Sequence, residues 1–184
     1  MAAFIQSQDR YSRKGLNAAI LRRLVQYEPE TGQFIRLAAP KRGAGKRFGK
    51  PAAQWRNENG YVLISLGRRW RFRAHQLAWL YMTGEWPSGD IDHVDGDRAN
   101  TKWANLRAAT RSQNLANSCL KTTNTSGIKG VSWDTKRGLW RSQISNQGRR
   151  HFLGRYASKD EAAAAYECAA RKLYGEFARM ARAA

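Results

Sequence analysis

Residues 91–117, IDHVDGDRANTKWANLRAATRSQNLAN, limit what this chain can fold into more tightly than any other stretch. Ile91 to His93 predicts a short strand. The Asp, Gly and Asn residues between Val94 and Ala104 predict a long loop, and Leu106 to Ala109 a second strand. Thr110 suits the N-cap of a short helix through Asn117, on which Asn114 and Asn117 share a face. Simple alternation sends the side chains of Asp92 and His93 to opposite sides of their strand. Both reach one centre only if the strand ends and twists there.

These residue types carry a chemistry. Hydrolysing a phosphodiester takes a base for water, a divalent cation on the phosphoryl and leaving oxygens, and a scaffold that fixes both. His93 can be the base, because imidazole titrates near neutral pH. Asp92 and Asn114 offer hard oxygen ligands suited to Mg²⁺ or Mn²⁺, and Asn105 has an amide able to staple the loop. Asp92, Asp95, Gly96 and Asp97 also echo the start of a calcium loop, but the twelfth position counted from Asp92 is Trp103 rather than the required Glu.

Asp92-His93 with Asp95-Gly96-Asp97, Asn105-Leu106-Arg107 with Thr110, and Asn114 with Asn117 resemble the HNH nuclease family, in the phage and homing-endonuclease branch whose final His is replaced by Asn. The resemblance implies a ββα-metal hairpin and helix, with His93 and Asn105 catalytic and Asp92 and Asn114 binding the metal. It also favours Asn114 over Asn117 as the ligand. The preceding AHQLAW, residues 74–79, is similar to a segment that relatives carry before the motif. His75 within it is read as packing or contacting phosphate, since it has no adjacent carboxylate.

Charge points to an anionic partner independently of any motif. The chain has 33 Lys plus Arg against 14 Asp plus Glu, a formal charge of +19. Its pI is about 10.8, beyond what solubility requires. No acid occurs between Asp97 and Asp134 or between Glu30 and Glu58, whereas Asp90, Asp92, Asp95 and Asp97 are clustered. A small acidic island in a basic chain is what a metal site on a DNA-binding surface looks like. Cys119 and Cys168 are separated by 48 residues and have no CxxC partner, so no structural zinc is expected and the thiols should be reduced. The first fifteen residues have no apolar core of signal-peptide length, and no apolar run reaches 18 residues, so no membrane partner is expected. A cytoplasmic location is expected, and the resemblance to phage nucleases implies a bacterial host cell.

The N-terminal third reads as a basic mixed module, residues 1–60. Leu16 to Tyr27 has helical spacing and Pro29 stops it; Thr31-Gly32 then turns the chain into an extended piece, Gln33 to Leu37. Lys41, Arg42, Lys46 and Arg47 lie in a glycine-rich arm without an acid, suited to tracking phosphates. Tyr61 to Leu66 and Trp70 to Arg73 predict a hairpin, followed by an amphipathic helix from Ala74 to Thr83.

The C-terminal third predicts three strands and a helix: Lys129 to Trp133, Trp140 to Ser145, Arg150 to Tyr156, and Lys159 to Tyr174 behind a capping box of Ser158 and Glu161. Alternation puts Trp140, Ser142, Ile144, His151 and Leu153 on an inner face for the helix, with Arg141, Gln143, Ser145, Arg150 and Phe152 outside. Such a ribbon can enter a major groove. Lys129-Gly130-Val131, Gly138-Leu139-Trp140, Leu153-Gly154 with Tyr156, and Ala162 to Tyr166 with Ala169-Ala170 resemble the ethylene-response-factor (APETALA) type DNA-binding domain of plants, also found fused to phage HNH nucleases. That resemblance implies DNA contacts at Lys129, Gln143, Ser145, Arg150 and Phe152; strand alternation adds Arg137 and Arg141. Ser132, Asp134 and Ser145 stand where the plant domains have Arg, and Phe152 where they have Trp, so the plant target sequence does not transfer.

The expected architecture is α+β: a ββα-metal nuclease domain at 61–118, a linker at 119–125, and a three-stranded antiparallel sheet with one packed helix at 126–178. The expected function is metal-dependent cutting or nicking of double-stranded DNA by a monomer, as in a phage homing endonuclease. A nuclease assisting phage DNA packaging would keep the same site. A non-catalytic DNA-binding regulator would have no use for Asp92, His93 and Asn114 at this spacing. An RNA-binding protein is disfavoured by the lack of an outward aromatic pair for base stacking.

Overall fold

The computed structural model describes residues 15–37, 49–52, 54–66, 71–120 and 123–180. It divides into two compact units, Met1–Ala108 and Ala109–Ala184. The arm bearing Lys41, Arg42, Lys46 and Arg47 lies outside the described residues.

In the first unit, α1 (Ala18–Leu24) begins at Asn17, whose side chain accepts a hydrogen bond from the Ile20 amide at 2.9 Å. The sequence reading carries this helix on to Tyr27. The chain instead leaves it at Leu24 and enters β1 (Val25–Glu28), which pairs antiparallel with β2 (Gln33–Arg36). Val25 and Tyr27 are buried and Gln26 is exposed. That period of two, begun by a β-branched residue, overrides the helical spacing.

A second sheet, in the order β3-β4-β5, comprises β3 (Gln54–Arg56), β4 (Val62–Ser65) and β5 (Arg71–Arg73). Its β4–β5 pairing is the expected hairpin, whereas β3 was not foreseen from sequence. The chain passes directly from β5 into α2 (Ala74–Thr83), which ends at Gly84 in the left-handed region (φ 86°). Leu77, Ala78 and Leu80 of α2 are buried in one core with Leu21, Val25, Phe34, Ile64 and Phe72. After α2 come β6 (Asp90–His93), a loop closing in a 3₁₀ turn at Trp103–Asn105, and β7 (Leu106–Ala109), with β6 and β7 forming a two-stranded sheet.

The β1–β2 turn clasps the far end of that loop. The Tyr27 hydroxyl donates to the Thr101 carbonyl at 2.6 Å, and the Thr101 hydroxyl to the Gly32 carbonyl at 2.9 Å. Gly32 has φ +74°, and a Cβ there would lie 2.6 Å from the Thr101 carbonyl carbon. Gly32→Ala therefore meets both backbone strain and a backbone clash. It should lower unfolding stability by about 2 kcal/mol or more, read from the midpoint of a denaturant titration.

The second unit holds α3 (Arg111–Asn117), β8 (Val131–Asp134), β9 (Leu139–Asn146), β10 (Arg149–Tyr156) and α4 (Lys159–Tyr174). Its sheet order is β10-β9-β8, all antiparallel. Capping boxes start both helices, Thr110 with Gln113 and Ser158 with Glu161. The small side chains of Ala162 and Ala163 are fully buried, which brings α4 close to the sheet. Ala116 of α3 joins a core with Ile144, Tyr166, Tyr174 and Phe177. His151 pairs with buried Ile144 but is itself exposed, contrary to its expected inner position, because β10 is an edge strand.

Cys119 and Cys168 are free and exposed. Among the described residues, no helix is long and apolar enough to cross a membrane.

Candidate functional site

β6 ends at His93, and the chain turns at once: the Gly96 amide donates to the His93 carbonyl at 2.8 Å. Asp92 and His93 are 3% and 4% exposed. Two polar side chains this deeply buried at a strand end need a reason, since burial of such groups is costly without partners. Part of the reason is Arg107 on β7, whose Nε lies 2.9 Å from Asp92 Oδ2. The sequence reading gave Arg107 only as a motif residue.

Asn105 closes the loop between the strands. Its Nδ2 donates to Asp95 Oδ1 at 3.0 Å and to the Asn100 carbonyl at 2.9 Å, and its Oδ1 accepts from the Asp95 amide at 3.0 Å. Its carbonyl accepts from the Val94 amide at 2.9 Å. Asp95 is itself a hub, taking hydrogen bonds from the Asp97 amide and the Asn100 side chain. Burial works against its charge, but these bonds together with that from Asn105 hold its pKa below the usual carboxylate value. The loop is thereby fixed from within.

Burial lowers the pKa of His93 below its ordinary value; the nearby Asp95, Asp92 and Asp97 pull it back up, and Arg98 pushes it down. Burial is the largest of these effects, so the imidazole is neutral at neutral pH and able to accept a proton. The ring of His93 lies 5.0 Å edge-on from His75 and 6.0 Å from Tyr61, centroid to centroid. Among the described residues, no cluster of three or more His, Cys, Asp or Glu side chains could hold a metal ion.

Asn114 and Asn117 lie on α3, Asn117 buried and Asn114 half-buried. Lys129 is committed to the end of that helix. Its ammonium donates to the carbonyls of Leu115, Ala116 and Ser118 at 3.1, 2.5 and 2.9 Å, caps that suit a helix C-terminus. Burial brings its pKa down to about 8.

The other residues expected to meet DNA fall on or beside the outer face of the β8–β10 sheet. Ser145 faces Arg150, Gln143 faces Phe152, and Arg141 faces both Ser132 and Arg155. Phe152 is 57% exposed, and the Arg155 guanidinium lies 4.9 Å above its ring. Nε of Arg141 is buried without a hydrogen-bond partner. Arg137 sits in the exposed β8–β9 turn, 3.7 Å from Asp134. Asp134 also accepts from Arg155 Nε at 2.9 Å, which holds its carboxyl below the usual range.

Arg155 was missed because strict alternation puts it on the inner face. The register shifts between Phe152 and Gly154, and this β-bulge returns Arg155 to the outer side. Gly154 was the available signal: its φ is +142°, and an isolated glycine within a strand marks such a bulge. Trp133 is 49% exposed and its ring meets Trp140 edge-on.

Comparison with known proteins matches residues 72–116 to the HNH endonuclease family and residues 126–176 to the AP2 domain. Protein 3.8 of Escherichia phage T7 is 37% identical over 111 residues, which span 59% of this chain and 89% of that protein. An uncharacterized HNH endonuclease, L560, of Acanthamoeba polyphaga mimivirus is 30% identical over 124 residues, spanning 66% of this chain and 62% of the mimivirus protein. No solved structure matches.

Proposed function

We propose, because the chain belongs to the family of phage T7 Protein 3.8 and joins an HNH endonuclease domain to an AP2 domain, that it is a metal-dependent nuclease cutting or nicking double-stranded DNA at preferred sequences. The observation that carries this reading is the buried Asp92-His93 pair at the end of β6, followed by a loop that Asn105 closes. His93 takes the proton of the attacking water. Asn105 keeps the loop, and with it the backbone around His93, in one conformation. Asp92 and Asn114, the latter chosen by the family motif, would hold Mg²⁺ or Mn²⁺ through their hard oxygen donors. The ion supplies positive charge to the phosphoryl and leaving oxygens.

Residues 61–118 then form the nuclease domain, 126–178 the reading domain, and 119–125 their linker, with 1–60 as a supporting module. The setting we assign is a phage-encoded homing endonuclease acting as a monomer in the cytoplasm of a bacterial host. Incubation of supercoiled plasmid with the pure protein tests the nuclease itself. Nicked or linear product with Mg²⁺ or Mn²⁺, and none with chelator, is expected; intact plasmid under all conditions would reject it.

Reading by the sheet has its own test. Arg150→Ala or Gln143→Ala should relax preference at particular base pairs, by about 1–3 kcal/mol for a bidentate contact. Cleavage of a randomised target library by wild type and variants measures this. Identical site profiles would mean that these side chains do not read bases.

A further inference from the structure

We propose that Arg73 and Arg98, both stacked on the ring of Tyr61, form a phosphodiester-binding wall beside His93. The inference rests on the nuclease reading for the identity of the anion, and goes beyond it in assigning the residues that hold the DNA backbone at the site.

The two guanidinium carbons lie 4.9 and 5.0 Å from the Tyr61 ring centroid. Tyr61 in turn is 5.1 Å from His75 and 6.0 Å from His93. One aromatic ring thus gathers two permanent cations and two imidazoles. Cation–π attraction offsets part of the like-charge repulsion, and a bound anion would remove much of the rest. Neither Arg73 nor Arg98 forms a salt bridge with an acidic side chain among the described residues. A guanidinium stacked by its face keeps its N–H edge for an acceptor, and that planar fork matches two phosphate oxygens.

The platform is rigid. Asn57 Oδ1 accepts from the Asn59 and Tyr61 amides at 3.1 and 2.9 Å, and Arg98 donates to the Asn59 carbonyl at 2.9 Å. That turn sets the positions of Tyr61 and Arg98 together.

Two further observations point to an anion. Arg73 is the N-cap residue of α2, a ten-residue helix with no side-chain cap and no acid in its first turn. Its own first turn therefore offers no side-chain cap and no carboxylate to the first amides and the positive end of the dipole. His75, in that same turn, is 4% exposed, and its Nδ1 has no hydrogen-bond partner. Burial, then His93 and Arg73, drive its pKa well below the ordinary value. It is therefore a neutral ring, able to give one hydrogen bond without adding charge.

The test uses the full chain and a short fluorescent duplex, with no divalent metal so that nothing is cut. Anisotropy titrations across a range of monovalent salt compare wild type with Arg73→Gln, Arg98→Gln, the double variant and Arg98→Lys. Each Gln variant should weaken binding roughly eightfold near 0.1 M salt and flatten the log–log salt slope by about 0.9, with the double variant losing about twice that slope. Arg98→Lys should restore the slope, which a purely structural role would not require. Wild-type affinity and slope in the Gln variants would overturn the proposal. Arg98 is exposed, so its variant keeps the test valid even if replacing half-buried Arg73 harms folding. If wild type binds with these slopes but fails to cut with Mg²⁺ or Mn²⁺, the nuclease reading falls and the arginine wall stands.

Discussion

Replacing His93 with Ala should lower the rate of DNA cleavage by about 10²- to 10⁴-fold, the usual contribution of a positioned general base. DNA affinity should hardly change, because the ring is 4% exposed and has little surface to offer a ligand. The two readouts separate the assignment from misfolding. Single-turnover cleavage on a defined duplex gives the first, and anisotropy without divalent metal the second. Cleavage at the wild-type rate would remove His93 from the mechanism.

Asp92→Asn should have the next largest effect. On the proposed reading it removes a charged oxygen donor from the metal, and it also breaks the ion pair with Arg107. Outer-shell changes at metal sites already cost about 10- to 100-fold, so losing a ligand should cost at least that in apparent metal affinity. Titrating Mn²⁺ against cleavage rate, and against its own spectroscopic signal on the protein, reads both consequences. A half-buried Arg107 left beside a neutral amide predicts a parallel loss of stability. Asn114→Ala should likewise raise the metal requirement, read in the same Mn²⁺ titration. Unchanged cleavage by both variants at low Mg²⁺ would transfer the ligand role to Asp95 or Asn117.

Much of this architecture could be read from the chain because its local signals agree with one another. Helix α2 was marked by its amphipathic spacing, and α4 by the capping box of Ser158 and Glu161; both occur at the predicted bounds. Asn105 as a loop staple followed from one amide near two strand ends, and its hydrogen bonds to Asp95 and Asn100 are the physical form of that idea. The failures come where a neighbour decides. The apolar spacing of Leu21, Leu24 and Val25 continues a helix on paper, but pairing with β2 turns Val25 to Glu28 into a strand. Arg155 needed a bulge that strict alternation does not contain. Lys129 was carried over as a DNA contact by the family resemblance, and what no local signal announced is that its ammonium lies over the end of α3 and caps three carbonyls. The Tyr61 cluster joins residues 61, 73, 75, 93 and 98 from separate elements, and no spacing rule connects them.

The central claim is hydrolysis by water that His93 deprotonates, and the most direct measurement follows the oxygen of that water. Cleavage of a duplex in ¹⁸O-enriched water with Mg²⁺ or Mn²⁺, followed by mass spectrometry of the ends, should place one ¹⁸O on a 5′-phosphate and leave an unlabelled 3′-hydroxyl. Ends carrying a 3′-phosphate, label absent from the 5′-phosphate, or no cleavage with either metal would contradict the account.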